Sequence, residues 1–259
     1  MTGIDVGGTK IRWIFLKSVR SPSSRDARAP RWHIVSSHEI PTPRTQDSFI
    51  ATLHTILAAA ERRNAASVGI GIAGTLSHGI LVHSPHLPFL KGMDFTATLR
   101  HATSIPCTID NDARCAAYAE VAIPMHTHHS RATHAPVMLV ATLGTGVGRA
   151  IVHNGILHTP ASLENAEPWE RAYRKIAALS NPSANLLAEF LGPRLARLAV
   201  SHHASMIVLG GGRLRTKGLF ALVRNECMRT GFSGTIRRSH FRQNEGAVGA
   251  ALLGVTPQH

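Results

Sequence analysis

Three glycine-rich turns, each closing an apolar run, constrain this chain more than any other feature. They are Asp5-Val6-Gly7-Gly8-Thr9, Gly144-Thr145-Gly146-Val147-Gly148 and Gly210-Gly211-Gly212. Glycine in such a turn lets backbone N–H groups come close to an anion, and a Thr hydroxyl adds a donor. One turn of this kind is usually a tight hairpin and nothing more. Three in this order, with an acid one strand end away from the first, point to phosphate. The common phosphate motifs do not account for them: there is no G-x-x-x-x-G-K-[ST], and no G-x-G-x-x-G opens a helix.

Strands and helices alternate around these turns. Ile4–Val6 and Ile11–Leu16 flank the first turn and predict a hairpin, residues 18–30 read as a loop, and Trp32–Val35 is the next apolar stretch. Phe49, Ile50, Leu53, Ile56 and Leu57 fall on one helical stripe starting near Asp47. A strand over Ser67–Ile72 runs into Ala73-Gly74-Thr75. A helix-strand pair over 94–109 ends at Asp110-Asn111-Asp112, with a helix over 113–122 that Asp112 is placed to cap.

The His-rich stretch 123–135 is the expected boundary between an N-terminal lobe, 1–125, and a C-terminal lobe, 136–259. The second half repeats the first. A strand over 137–142 enters the second glycine turn, and Ala150–His153 turns back through Asn154-Gly155, a two-residue hairpin signal. Helices over 167–179 and 183–203, the strand Met206–Leu209, a helix near 216–229, a strand at 234–237 and a closing helix over 245–253 follow. This order predicts an α/β fold of two similar halves with a cleft between them.

Composition narrows the function without choosing it. The 259 residues carry 28 Lys plus Arg against 15 Asp plus Glu, a formal charge of +13 with His neutral. At 44% hydrophobic and 17% charged, the chain is not wholly disordered and can bury one large core or two smaller ones. Nucleic acid, a membrane surface and a phosphorylated small molecule all suit the charge. No run approaches the ~18 to 20 apolar residues of a spanning helix, and Met1 leads into Gly3-Ile4-Asp5-Val6 rather than a signal region, so a soluble cytoplasmic protein is expected. Cys107, Cys115 and Cys227 are too scattered for a disulfide framework, and reduced thiols are expected.

Taken together, DVGGTK, GIGIAG, IDNDARCAAYAE, LGTGVG, IVLGGG and the closing EGAVGAA resemble the ROK family of sugar kinases, repressors and relatives, within the actin-like/hexokinase ATPase superfamily. The resemblance implies a two-lobed actin-like, ribonuclease H-like fold with a nucleotide cleft. It implies that Asp5, Gly7, Gly8, Thr9 and Lys10 face the phosphates, with Asp5 toward Mg²⁺ directly or through water. Gly144, Thr145 and Gly146 would hold phosphates from the other lobe, and Gly210, Gly211 and Gly212 would lie along the adenosine. Asp112 matches the family's catalytic aspartate, and Gly74, His86 and Asn111 join it on the acceptor side. Taken alone, without the surrounding motifs, Asp112 reads as a helix N-cap and Asp5 as a turn residue.

The departures from the family pattern fall on the acceptor side. The family's G-E-x-G-H segment and its zinc-binding C-x-C-G-x-x-G-C-x-E run are absent, and Pro85-His86 stands where many family kinases have Pro-Asn. In place of the missing segments is TPASLENAEPWER, whose Glu164 and Glu167 could approach the acceptor but match no motif. No zinc is expected, and His126, His128 and His129 lack a standard zinc spacing. Residues 213–242 carry eight Lys or Arg against one acid, Glu226, and suit ATP, a longer polyphosphate or plain solvation. The expected function is transfer of the ATP γ-phosphoryl group to a sugar hydroxyl. The alternatives are a non-catalytic sugar or nucleotide sensor and a polyphosphate-dependent kinase. A sugar and a nucleotide are the expected partners, with a homodimer left open and no membrane. With two residues before Gly3, the helix-turn-helix of the family's repressors is missing and nucleic-acid binding is not expected.

Overall fold

The computed structural model describes residues 1–19, 31–122, 136–158 and 167–254. It divides into two units, Met1–His129 with Asn244–His259, and Ser130–Gln243. The expected boundary stretch, 123–135, lies outside the described residues.

Unit 1 begins with β1 (Thr2–Val6), β2 (Lys10–Val19), β3 (Arg31–Pro41), α1 (Gln46–Arg62) and β4 (Val68–Ile72). It continues through a small hairpin, β5 (Thr75–Ser77) and β6 (Ile80–His83), then α2 (Phe95–Ala102), β7 (Cys107–Asn111) and α3 (Asp112–Val121). The main sheet has the order β3-β2-β1-β4-β7. β1 pairs antiparallel with β2 and parallel with β4, and β4 pairs parallel with β7. Val6 therefore lies opposite Ile72, and Ile72 opposite Asn111, so the C-terminal ends of three parallel strands share one edge. Loops at such an edge are where open α/β sheets bind ligands. Ile4, Val6, Ile70 and Ile72 pack with Phe49 and Leu53 of α1 and Phe95 of α2 to form the core. Thr45 caps α1 by accepting from the Ser48 N–H, and Asp94 caps α2 by accepting from the Ala97 N–H.

Unit 2 holds β8 (Met138–Leu143), β9 (Val147–His153), β10 (Ile156–His158), α4 (Pro168–Ala177), α5 (Ala184–Ser201), β11 (Met206–Gly210), α6 (Leu219–Arg229) and β12 (Thr235–Arg238). Its sheet, β10-β9-β8-β11-β12, repeats the unit 1 plan of an antiparallel meander followed by two parallel strands. Asn154 and Gly155 both have positive φ, 53° and 76°, as a type I′ hairpin turn requires. Leu187, Leu191 and Leu195 of α5 meet Val223 and Cys227 of α6 and Ile207 and Leu209 of β11 in this unit's core.

The last element, α7 (Glu245–Leu252), corrects the expectation that 136–259 forms one lobe, because residues from Asn244 onward belong with unit 1. Its backbone rests directly on the unit 1 sheet. A methyl group on Gly3 would overlap the Ala247 carbonyl, and one on Gly69 would overlap the Ala250 carbonyl. Gly249 meets the Cys115 carbonyl of α3 in the same way. A helix in which five of eight residues are Gly or Ala can approach this closely, and every residue of α7 is buried.

Other elements differ from expectation for local reasons. β3 runs from Arg31 to Pro41 rather than stopping at Val35, because it pairs with β2 along that whole length, with Trp32, Ile34, Ser36 and Ile40 half-buried and Val35 exposed. The hairpin β5–β6 was not expected; its turn uses His78 and Gly79 at positive φ. α6 begins at Leu219, since Gly212–Arg215 form a short 3₁₀ turn.

Candidate functional site

The first glycine turn is held by its carbonyl groups. The Gly7 N–H donates to the Lys10 carbonyl at 3.0 Å, and Thr42 donates its hydroxyl to the Gly7 carbonyl at 2.6 Å. The Thr42 N–H donates to the Thr9 carbonyl at 3.0 Å, and Arg44 Nη1 donates to the Gly8 carbonyl at 3.2 Å. Residues 42–44 thus fix the turn while Thr9 stays exposed. Lys10 is turned to β3, where its ammonium lies 2.8 Å from Glu39, and Arg12 pairs with the same carboxylate. The Lys10 hydrogen bond, with Arg12 beside it, holds the Glu39 carboxyl below its usual range.

Asp5 sits one strand position before the turn, with Gly71 opposite it on β4 and Arg12 opposite it on β2. Burial raises its pKa to about 7, and the negative charges of Asp112 and Glu245 add to the rise against Arg12 and Lys10. The start of α7 presses on this carboxyl, since a Cβ on Gly246 would stand 2.7 Å from Asp5 Oδ2. Glu245 was not a sequence candidate. Its charge reaches Asp5 only because α7 returns to unit 1.

Asp112 begins α3 but is not its cap. Asn111 is: its Oδ1 accepts the Ala113 N–H at 2.9 Å and the Arg114 N–H at 3.2 Å. This corrects the capping expectation, and the reason is that the strand runs through Asn111, which puts the extended cap conformation there. Asp112 Oδ1 also accepts the Ala113 N–H at 2.9 Å, yet burial still raises its pKa to about 6. Gly71 makes room for this junction, lying against Cys115 Sγ and Asp112 Cα.

The acceptor-side candidates form one connected run. Asn111 Nδ2 donates to the Gly74 carbonyl at 2.8 Å. Ser84 donates to the Ala73 carbonyl at 2.6 Å and accepts the Leu87 N–H at 3.0 Å, which ties residues 84–87 to the end of β4. His86, in that segment, packs on the first turn, where a Cβ on Gly8 would stand 2.5 Å from His86 Cβ. Asp5, Gly7, Gly8, Gly74, His86, Asn111 and Asp112 are therefore gathered at one edge of unit 1. Arg44 reaches the same turn and was missed, because no spacing in the sequence links 44 to 8.

In unit 2 the second and third turns adjoin. Gly210 lies opposite Thr142 across β11 and β8, and Gly211, at φ 92°, is so close to Leu143 that a side chain would overlap its backbone. The Gly144 N–H donates to the Gly146 carbonyl at 2.9 Å, the Tyr173 hydroxyl donates to the Gly144 carbonyl at 3.1 Å, and Thr145 is exposed. Gly212 opens the 3₁₀ turn. Glu167 is engaged elsewhere: the buried Arg149 pairs with it and, at 2.5 Å, with Glu170. In the basic segment, Arg213 donates to the Ala177 carbonyl at 2.8 Å, Arg215 bonds Gln243, and Arg238 lies over Phe220. Glu164 and His126, His128 and His129 lie outside the described residues.

Residues 1–167 match the sequence profile of the ROK family. The chain belongs to the ROK family. N-acetyl-D-glucosamine kinase of Escherichia coli O1:K1 is 32% identical to this ROK chain over 158 residues, 59% of this chain and 46% of the relative. The chain spans about half the length of the curated relatives it matches. A ROK glucokinase from Streptomyces griseus, solved with glucose and AMPPNP, superposes with a TM-score of 0.73 at 21% identity, covering 98% of each chain. The inorganic polyphosphate/ATP-glucomannokinase of Arthrobacter sp. strain KM gives 0.71 at 22% identity over 97% and 96%. The fold of this ROK protein is thus the α/β actin-like ATPase fold. Among the described residues, no helix is long and apolar enough to cross a membrane.

Proposed function

We propose that this ROK protein transfers the γ-phosphoryl group of ATP to a hydroxyl of a sugar or sugar derivative, in the cytoplasm. The observation that carries the reading is the Asp112 carboxyl at the start of α3, which burial raises to about 6 although it accepts the Ala113 N–H, and which is an electrostatic neighbour of Asp5 beside the first glycine turn. A carboxylate with that pKa is ionised at neutral pH and basic enough to take a proton. The acceptor hydroxyl gives its proton to Asp112 as its oxygen bonds to the γ-phosphorus, and the bond from that phosphorus to the β,γ-bridging oxygen breaks. ADP carries away the electron pair, and Asp112 returns its proton to solvent. Within unit 1, Gly8 and Thr9 would supply donors for phosphate oxygens on a turn that the Gly7 N–H closes onto the Lys10 carbonyl; within unit 2, Thr145 and Gly146 offer donors of the same kind on a turn closed by the Gly144 N–H, with Gly210, Gly211 and Gly212 as the candidates for the adenosine.

Among the described residues no three acids, His or Cys gather closely enough to ligate a metal ion by themselves, so the fit at Asp5 is to a hydrated cation that this one enclosed carboxyl, under the negative charges of Asp112 and Glu245, would favour. Asp5 would hold Mg²⁺, directly or through water, and the ion would neutralise phosphate charge. Gly74, His86 and Asn111 form the acceptor side.

A sensor without turnover is the second reading. It is favoured by the absent G-E-x-G-H and cysteine segments and by the commitment of Glu167 to Arg149. A coupled assay over a sugar panel, with ATP and with polyphosphate, separates the readings. The proposal expects ADP release that depends on one class of sugar. Saturable sugar binding with no turnover from either donor would replace it with the sensor.

A further inference from the structure

Arg114 follows Asp112 by two residues and points back along α3. Its Nε lies 2.9 Å from both carboxylate oxygens of Asp110, in the last part of β7. The same Asp110 Oδ1 accepts the Asn111 N–H at 2.7 Å. Asn111 in turn holds the Gly74 carbonyl through Nδ2 and the first N–H groups of α3 through Oδ1. The residue that carries Asp112 into the site is therefore gripped through its backbone by Asp110 and through its side chain by the Gly74 carbonyl beyond β4 and by α3. Asp110 is 21% exposed and Arg114 29%, so the pair is shielded more than a surface ion pair.

We infer that the Arg114–Asp110 pair is a positioning clamp for Asp112, fixing the Asn111 peptide so that the carboxyl leaves the strand end in one direction. Arg114 acts through Asp110 and is a positioning residue. Without it, the partly exposed Asp110 carboxylate loses its ion-pair partner and turns toward water, leaving the Asn111 N–H behind. Misplacing a base by about 1 Å costs up to about 100-fold in rate.

The inference rests on the kinase reading, and its test is Arg114→Ala, Arg114→Lys and Asp110→Asn in the full chain. For each, kcat and both KM values are measured and normalised to the folded fraction from circular dichroism. Arg114→Ala is expected to lower kcat by about 10- to 100-fold with the KM for ATP nearly unchanged, any change in KM falling on the acceptor that Asn111 faces. Arg114→Lys restores most of it, since an ammonium four residues on still reaches Asp110. Asp110→Asn, which keeps an oxygen for the Asn111 N–H, falls between. If Arg114→Ala does not fold, Arg114→Gln takes its place. A purely structural pair would lower the melting temperature and leave kcat per folded chain at the wild-type value, and that result overturns the clamp. Arg114→Lys no better than Arg114→Ala overturns it as well. A wild-type chain that phosphorylates no hydroxyl acceptor overturns the kinase reading itself, which an active wild type with unaffected variants would not.

Discussion

Asp5 is desolvated beside two other acids, and the fold holds it there at a cost that depends on pH. Its pKa is 3.8 unperturbed and about 7 in the folded chain, so folding disfavours the ionised form. That penalty is absent below 3.8 and grows as pH rises through about 7; Asp112 adds a contribution of the same sign up to about 6. The melting temperature of the ligand-free protein should therefore fall across this window. Asp5→Asn should flatten the fall and raise the melting temperature by a few degrees on its alkaline side, and thermal scans of both proteins against pH decide it. Both acids were legible in the sequence because they stand in motifs at strand ends. Glu245 and Arg44 were not: their parts in the site come from chain segments that return to it from 240 and 36 positions away, counting Glu245 from Asp5 and Arg44 from Gly8. Asn111 was read as an acceptor contact, and its capping role was given to its neighbour, because a one-residue extension of β7 decides which of the two has the cap conformation.

Among the elements, the strands with apolar alternation and the hairpin at Asn154-Gly155 were legible, since the turn chemistry and the pattern agree there. The β5–β6 hairpin was not, because Thr75–Ser77 is three residues with a single apolar side chain, too short for its alternation to be told from a loop. The home of α7 was the largest miss. Gly and Ala on every face give a helix no apolar stripe, so its pattern does not say which sheet it covers, although glycine inside strands β1 and β4 was a signal of close backbone approach. Gly3→Ala and Gly249→Ala should each destabilise the protein by at least about 1–3 kcal/mol, because the backbone oxygen in the way cannot rotate aside. Denaturant unfolding measures this. Gly92→Ala is the contrast: its Cβ would meet nothing within 4 Å, and its φ of 84° confines the cost to local backbone strain.

Across the whole molecule, the duplicated sheet order was legible as two halves that each open with a hairpin over a glycine turn, while the return of the chain's end to unit 1 was not. The excess of 28 basic over 15 acidic residues is distributed unequally between structure and solvent. Arg213 is tied to the Ala177 carbonyl, whereas Arg215 and Lys217 are exposed. Replacing Arg215 and Lys217 by Ala should therefore leave stability within about 1 kcal/mol. If these charges hold the donor, the change should weaken polyphosphate more than ATP, with a difference that shrinks as salt is added. Arg213→Ala should cost stability instead, and titrations with each donor at low and high salt, beside melting curves, separate the two effects. The central claim is that Asp112 takes the acceptor proton, and its most direct measurement is ATP-dependent sugar phosphorylation by the wild type and by Asp112→Asn, side by side, with nucleotide affinity and melting temperature recorded for both. The account predicts turnover in the wild type and a loss of about 10²- to 10⁴-fold in the variant, with nucleotide affinity nearly unchanged and a melting temperature no lower than the wild type's, because Asn111 still caps α3 and the cost of burying an ionised Asp112 is gone. Turnover in Asp112→Asn within a few-fold of the wild type would contradict it.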